Sequence, residues 1–342
     1  MVRGRWRSFT LPTRLLIVAV AYYASARLGL ELALVGNIVT PLWPPTGVAV
    51  VAVAVLGFSV WPAIALAAFA VNVSIADTPL VAAGIAVGNT LAPLAAAALL
   101  RRFGFDRRLA RLRDALTLVA VALASMMISA SVGTACVALA GSSTRVVDTW
   151  WVWWAGDAMG VLIVAPFLWS LARLRTTRIR WTVGIQAVAL FAALTAAAVY
   201  GSRAEDGLLF IVLPFVGWIA WRFQQRGAGP AALLASSIVI LAAAHDEGIF
   251  HGEALLHKMV LLQAFNACVA LTSLVFAAAV TERRHFLERL YEREHRIAEM
   301  LQLSLLPAEL PSPPGVDVAA RYLPSSRESQ LINPRTRWNV RL

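Results

Sequence analysis

Chemistry inside a bilayer needs a polar side chain where few are tolerated, and one carboxylate in this sequence meets that description. Asp157 lies in "WWVWWAGDAMGVLIVAP", several residues into an apolar stretch that holds no other charge. An acid at that depth costs a few kcal/mol unless it is protonated, paired or wetted, so it needs a partner. Gly156 and Gly160 form a G-x-x-x-G pair beside it, which lets another helix backbone approach closely enough to hydrogen-bond the carboxylate. Two roles are open to Asp157: a polar clamp between helices, or the centre of a site that senses a ligand.

Other polar groups in apolar surroundings are weaker candidates. Arg27 and Glu31 sit four apart, on one face of a first span, where they can neutralise each other within the bundle. Asn72, and Asn89 after the Gly84 and Gly88 pair in "AAGIAVGNT", are short polar groups of the kind that bridge packed membrane helices. Pro44 and Pro45 in "PLWPPTGVAV" suit the first turn of a helix, because φ is fixed and the missing N–H has no helical partner there anyway. The stretch "HDEGIFHGEALLH" offers His245, His251, His257, Asp246, Glu247 and Glu253, but at no standard metal spacing. No phosphate-binding loop, nucleophile elbow or paired His-Glu zinc sequence is present. No catalytic residue, metal site or cofactor is therefore expected.

Composition says what must position these groups. Of 342 residues, 59% are apolar and 14% charged, and apolar runs of about 20 residues, the length that crosses a bilayer core, recur along the chain. The expected fold is all-α, a polytopic membrane bundle of about ten transmembrane helices with a cytoplasmic C-terminal helix. A water-soluble enzyme is excluded, since whole segments lack the charged face of an amphipathic helix. The net charge of +11 suggests nucleic acid only for a soluble chain. Here the arginines flank apolar runs and read as topology signals, so no nucleic-acid partner is expected and the lipid bilayer is the first partner.

Ten spans are expected over residues 14–35, 45–59, 61–76, 79–100, 114–140, 150–172, 181–200, 207–221, 229–244 and 255–281. The second and third are short and share a turn at "GFSVWP", so they are tilted or one fails to cross fully. With the N-terminus inside, the inner segments carry nearly all the arginine. The outer loops keep only Arg145 and Arg203, against seven acids: Asp77, Asp148, Glu205, Asp206, Asp246, Glu247 and Glu253. That alternation is the positive-inside pattern of a plasma-membrane protein with both termini cytoplasmic. Trp150, Trp151, Trp153 and Trp154 fall where the sixth span begins, and Trp181, Trp218 and Trp221 near inner ends, as interfacial anchors. The basic, apolar N-terminus imitates a secretory signal but reads better as an uncleaved first span. Cys136 and Cys268 lie in apolar segments as small buried fillers.

Several separated motifs, "LWPPTGVAVVAVAVLG", "WPAIALAAFAVNV", "AGIAVGNTLAPLAAAALLRR", "RLRDALTLVAVALASMMISASVGT" and "WWVWWAGDAMGVLIVAP", together resemble the MASE1 family of bacterial membrane-integral sensor domains over roughly residues 14–281. The resemblance implies a signal-input role ahead of a cytoplasmic output module. The positions that match are Trp43, Pro44, Pro45, Gly47, Gly88, Asn89, Gly156, Asp157, Gly160 and Pro166, which adds Trp43 to the sensing candidates. It names no ligand; an unknown small molecule or a membrane protein partner is what a sensor needs.

Beyond the membrane, Leu287, Leu290, Ile297 and Leu301 follow coiled-coil spacing, interrupted by Glu294, through which two copies can pair as a homodimer; a single solvated helix is the alternative. "EHRIAEMLQLSLLPAELPSPPGVDVAARYLP" resembles the lead-in of the SpoIIE-like PPM serine/threonine phosphatases. That family needs a "GGD" metal-binding segment next, where this chain reads "SSRESQLINPRTRWNVRL". The expected organisation is a sensor domain over 1–281, a linker helix over 282–306, a phosphatase-start fragment over 307–326 and an unmatched, disordered tail over 327–342. On this reading the chain is not an enzyme, and purified protein with Mn²⁺ or Mg²⁺ leaves a phosphoserine peptide intact. Release of phosphate in that assay would contradict it. A small-solute transporter is the other function class, since many spans, broken helices and a buried acid also suit a carrier.

Overall fold

A computed structural model describes residues 10–31, 34, 40–141, 145–174, 181–204 and 208–304. Among them there is no strand; the fold is an all-α membrane bundle. In chain order the helices are α1 (Leu11–Glu31), α2 (Pro44–Leu56), α3 (Trp61–Asn72), α4 (Pro79–Arg102), α5 (Leu112–Leu139), α6 (Val146–Met159), α7 (Ala165–Leu174), α8 (Trp181–Arg203), α9 (Val212–Phe223), α10 (Gln225–Ala244), α11 (Leu255–Leu271) and α12 (Ala277–Ser304). A π segment, Gly160–Val164, joins α6 to α7, and another, Thr272–Phe276, joins α11 to α12. Among the described residues, seven helical stretches are long and apolar enough to cross a membrane, and three shorter apolar ones, Pro44–Leu56, Phe58–Asn72 and Leu208–Phe223, make up the ten segments expected. The chain divides into two units, Met1–Arg283 and Arg284–Leu342. The described part of the second is helical, and Leu287, Leu290 and Ile297 are exposed along it. The expected phosphatase-start fragment and tail lie outside the described residues.

The short pair, α2 and α3, has a physical reason to be short. At about 1.5 Å per residue, 13 and 12 residues give roughly 20 and 18 Å, less than the roughly 30 Å of hydrocarbon. The turn between them pivots on Gly57 at φ +101 and lies at the Arg101 end of α4: the Arg101 guanidinium stacks 4.4 Å above the Phe58 ring and reaches the Val53 carbonyl. From that end the 13 residues of α2 cannot reach the far side, so its N-terminus starts inside the bundle.

Small residues set the helix spacing elsewhere, as expected where lipid removes the hydrophobic drive between helices and van der Waals contact has to hold them. On α4, a Cβ at Gly84 would overlap Cys136 Sγ of α5, and one at Gly88 would stand 3.1 Å from the Val132 Cβ and 3.3 Å from the Ser129 carbonyl. Cys136 and Cys268 are free thiols.

Arg27 and Glu31 are not a bundle pair. The face of α1 that packs inward carries Val18, Tyr22, Ala26, Gly29 and Leu30, which leaves both charged residues exposed and without an ion pair between them. Asn72 is buried, but its amide donates 2.8 Å to the Ala68 carbonyl of its own helix, so it bonds back along α3 rather than across to a neighbour. The tryptophans before Asp157 divide in the same way. Trp151 is exposed, as an anchor should be. Trp150 Nε1, however, donates to Ser131 Oγ at 3.0 Å, Trp154 Nε1 to the Leu123 carbonyl at 2.8 Å, and the Trp153 ring lies against Gly133, so these three tie α6 to α5.

The loop of residues 245–254 folds onto the end of α8. Arg203 Nε pairs with Glu247 at 2.9 Å, the Lys258 ammonium bonds Asp246, and a Cβ at Gly248 would overlap the Ser202 carbonyl. The Lys258 hydrogen bond, then the Gly252 N–H, hold the Asp246 carboxyl below the usual carboxylate range. Its pairing is therefore complete at neutral pH and is lost only as the medium acidifies through that lowered value. His251 and His257 spend their Nδ1 atoms on Asp246 and Glu253.

Candidate functional site

Asp157 lies near the middle of the apolar stretch Val146–Ala172, and is 1% exposed. Opposite it is the start of α2. Trp43 is the residue before that helix, in extended conformation, with Pro44 and Pro45 in its first turn. These prolines have no N–H to leave unsatisfied, so a helix can begin here away from water. The chain leading in is held by backbone bonds to other elements. The Trp43 N–H donates 3.0 Å to the Gly156 carbonyl, and Gln263 Nε2 of α11 donates 2.9 Å to the Pro41 carbonyl.

Glycine makes this approach possible. A Cβ on Gly160 would overlap the Trp43 carbonyl oxygen, one on Gly47 would overlap the Gly160 carbonyl, and one on Gly156 would stand 2.9 Å from the Thr40 carbonyl. Backbone thus meets backbone with no side chain between. The Gly156 and Gly160 pair receives an irregular segment and a helix start, rather than the flank of a second full-length helix.

The result is a carboxylate at a helix N-terminus. Thr46, in the first turn of α2, donates its hydroxyl to Asp157 Oδ1 at 2.7 Å. The partial positive charge of that helix end favours an anion there by a few tenths to about 2 kcal/mol, more in buried geometries. The second oxygen, Oδ2, is buried and has no hydrogen-bond partner. Ser129 and the Trp153 indole border the carboxylate without closing a well-formed bond to that oxygen. No ion pair joins Asp157 to a basic group among the described residues.

A shell of neutral polar groups completes the site. Ser129 Oγ of α5 donates 2.8 Å to Asn89 Oδ1 of α4, so this amide links two helices. Tyr22 of α1, 1% exposed, turns its hydroxyl to the Asn89 and Trp43 side chains and faces Asp157. Five elements therefore converge on one acid. Of the residues the sequence singles out, Asp157, Asn89, Trp43, Pro44, Pro45, Gly156 and Gly160 meet here; Gly84 and Gly88 bring α4 close enough to α5 for the Asn89–Ser129 bond. Asn72, Arg27 and Glu31 stand apart. Tyr22, Thr46, Ser129 and the inward role of Trp153 were not singled out. A hydroxyl directly after a proline pair was the available signal for Thr46.

Such an arrangement can take up a small polar or cationic group at Oδ2, or change its hydrogen bonds when α2 moves against α6. No curated protein and no solved structure matches the chain. The MASE1 family of membrane-integral sensory domains matches residues 14–284, most of the length and every residue that builds this site, so the chain belongs to the MASE1 family.

Proposed function

We propose that the Asp157 site is the sensing centre of this membrane sensory domain and that its state is read out through the helix leaving the membrane after Thr281. The observation that carries this is the buried Oδ2, left without a partner at the N-terminus of a half-helix. A clamp selected for strength alone would satisfy both oxygens, since an unmade hydrogen bond to a buried polar group costs about 1–3 kcal/mol. The stimulus acts there directly or through a membrane protein partner. The motif at 294–324 supports a PPM-type phosphatase as the output, and the exposed Leu287, Leu290 and Ile297 support pairing of two copies along the linker helix. To test the reading, residues 1–306 are joined to an intact phosphatase domain of that family and hydrolysis is compared for the parent and Asp157→Asn. Equal hydrolysis at equal membrane expression would refute it.

The half-helix aimed at an acid also supports transport, because carriers build substrate sites from broken helices at the same depth. Uptake of solute into vesicles that hold the purified chain, lost in Asp157→Asn, would favour that reading.

The arginine distribution supports a plasma-membrane protein with both termini in the cytoplasm. A reporter that fluoresces only in the cytoplasm, joined after Leu342, is expected to be bright. A dark fusion on a folded membrane domain would overturn the topology.

A further inference from the structure

The last span leaves the membrane domain through a widened turn, and several hydrogen bonds converge on it. Thr272–Phe276 is a π segment, so the turn holds one residue more than an α-helix would. The Ala277 N–H is shared between the Ser273 and Leu274 carbonyls. The Leu274 carbonyl also accepts from Gln225 Nε2 at 3.3 Å, and the same amide donates 3.1 Å to the Leu109 carbonyl. Gln225 is 4% exposed. The backbone that presents it is strained: Gln224 (φ 53) and Leu109 (φ 51) both adopt left-handed conformations that side-chain-bearing residues avoid. A little further along the helix, the Glu282 carboxylate accepts the Leu112 N–H at 2.9 Å, at the start of α5 and three residues beyond Leu109.

The bonds to the Leu274 carbonyl and to Glu282 share one property: both depend on the extra residue staying in the turn. If Thr272–Phe276 relaxed to an ordinary α-helix, everything after it would rotate by about 100° and advance by about 1.5 Å. Glu282 would leave Leu112, and the Leu274 carbonyl would turn away from Gln225. We propose that Gln225 is a positioning residue that holds the output helix in its π register, and that signalling consists of a one-residue register change when this hold is released. The proposal rests on the reading that the helix after Thr281 carries the output. Two discrete arrangements of one turn give the two-state element that transmission needs, and π segments are found disproportionately at such functional positions.

A buried amide with only a structural role makes a different prediction: cutting it lowers stability and leaves the register alone. Thiol labelling separates the two. In the full chain, with Cys136→Ala and Cys268→Ala, single cysteines are placed at 278, 279, 281 and 283 and their alkylation rates measured in lipid nanodiscs. The parent protects 278 and 281, which are buried, and exposes 279 and 283. Gln225→Met is expected to shift this pattern by one residue, making cysteines at 278 and 281 reactive. Removing Val275 from Gln225→Met takes the extra residue out of the turn, leaves nothing to relax, and restores the parent pattern. An unshifted pattern in folded Gln225→Met overturns the proposal, as does a shift that removal of Val275 fails to restore. Should Gln225→Met not fold, Glu282→Ala at the exposed end of the same clasp gives the same reading, and an unchanged pattern there is equally decisive. Labelling needs no stimulus, so its outcome stands whether or not Asp157 senses.

Discussion

Asp157→Asn is expected to fold at least as well as the parent and to lose its output. An acid near the centre of a span disfavours insertion by about 2.5–3.5 kcal/mol, and in the native bundle one of its oxygens has no partner to offset that. Asparagine keeps the acceptor for the Thr46 hydroxyl, matches the volume and removes the charge, so thermal unfolding in detergent should move upward. Asp157→Leu also removes the acid but leaves the buried Thr46 hydroxyl unpaired, at about 1–3 kcal/mol, and should unfold below Asp157→Asn. Phosphatase output in the chimera of residues 1–306 should fall in both. The combination discriminates: a clamp keeps both its stability and the output in Asn, whereas a sensing centre keeps its stability and loses its response. Unchanged output from a folded Asp157→Asn would return the residue to a structural role.

Gly160→Ala is expected to be the most damaging single methyl among the described glycines. The new Cβ would overlap the Trp43 carbonyl, a backbone atom fixed by the fold and unable to rotate away. Overpacking in a close-packed interior typically costs about 1–3 kcal/mol, and a wall of backbone on both sides places this case at or beyond the upper end. Gly47→Ala meets the Gly160 carbonyl and the Val164 Cβ and should be similar. Gly84→Ala meets a thiol that can swing aside and should cost less. Gly184 and Gly217 have nothing within 4 Å, so alanine there should be neutral or stabilise by up to about 1 kcal/mol through helix propensity. Thermal unfolding of these five variants gives a ranked series, and Gly160→Ala unfolding alongside Gly217→Ala would contradict the close approach of Trp43.

Hydropathy and the arginine pattern were enough to find the ten apolar segments, because both are summed over many residues. Asp157 was legible for a simple reason: a lone carboxylate in an apolar run has few ordinary explanations. The hydroxyls around it were not, since most membrane Ser and Thr residues bond back four residues along their own helix. Thr90, Ser125, Thr195 and Thr281 all do so here; nothing local separates them from Ser129, which reaches across, and only the preceding proline pair marks Thr46. Packing alone makes that choice. The spacing of Arg27 and Glu31 fixed a common face but not its direction, and the bulkier inward stripe of Tyr22 and Leu30 decided it. Pro44 and Pro45 marked a helix start correctly. That the start lies deep in the bundle was hidden, because no charged residue separates it from the segment before. The π segments left no trace in composition.

The contact between Gly47, Gly160 and Trp43 bears on how the domain responds to force. Side chains at an interface behave as springs: they change rotamer and absorb a small displacement. Backbone pressed on backbone has no rotamers to spend, so this joint has low compliance and acts as a strut. A shift of a few tenths of an ångström at Asp157 would be passed along α2 toward the Gly57 turn, where Arg101 rests on Phe58. A rigid joint of this kind trades tolerance of mutation for fidelity of transmission, which is the exchange a device that reports small motions over a long distance has to make.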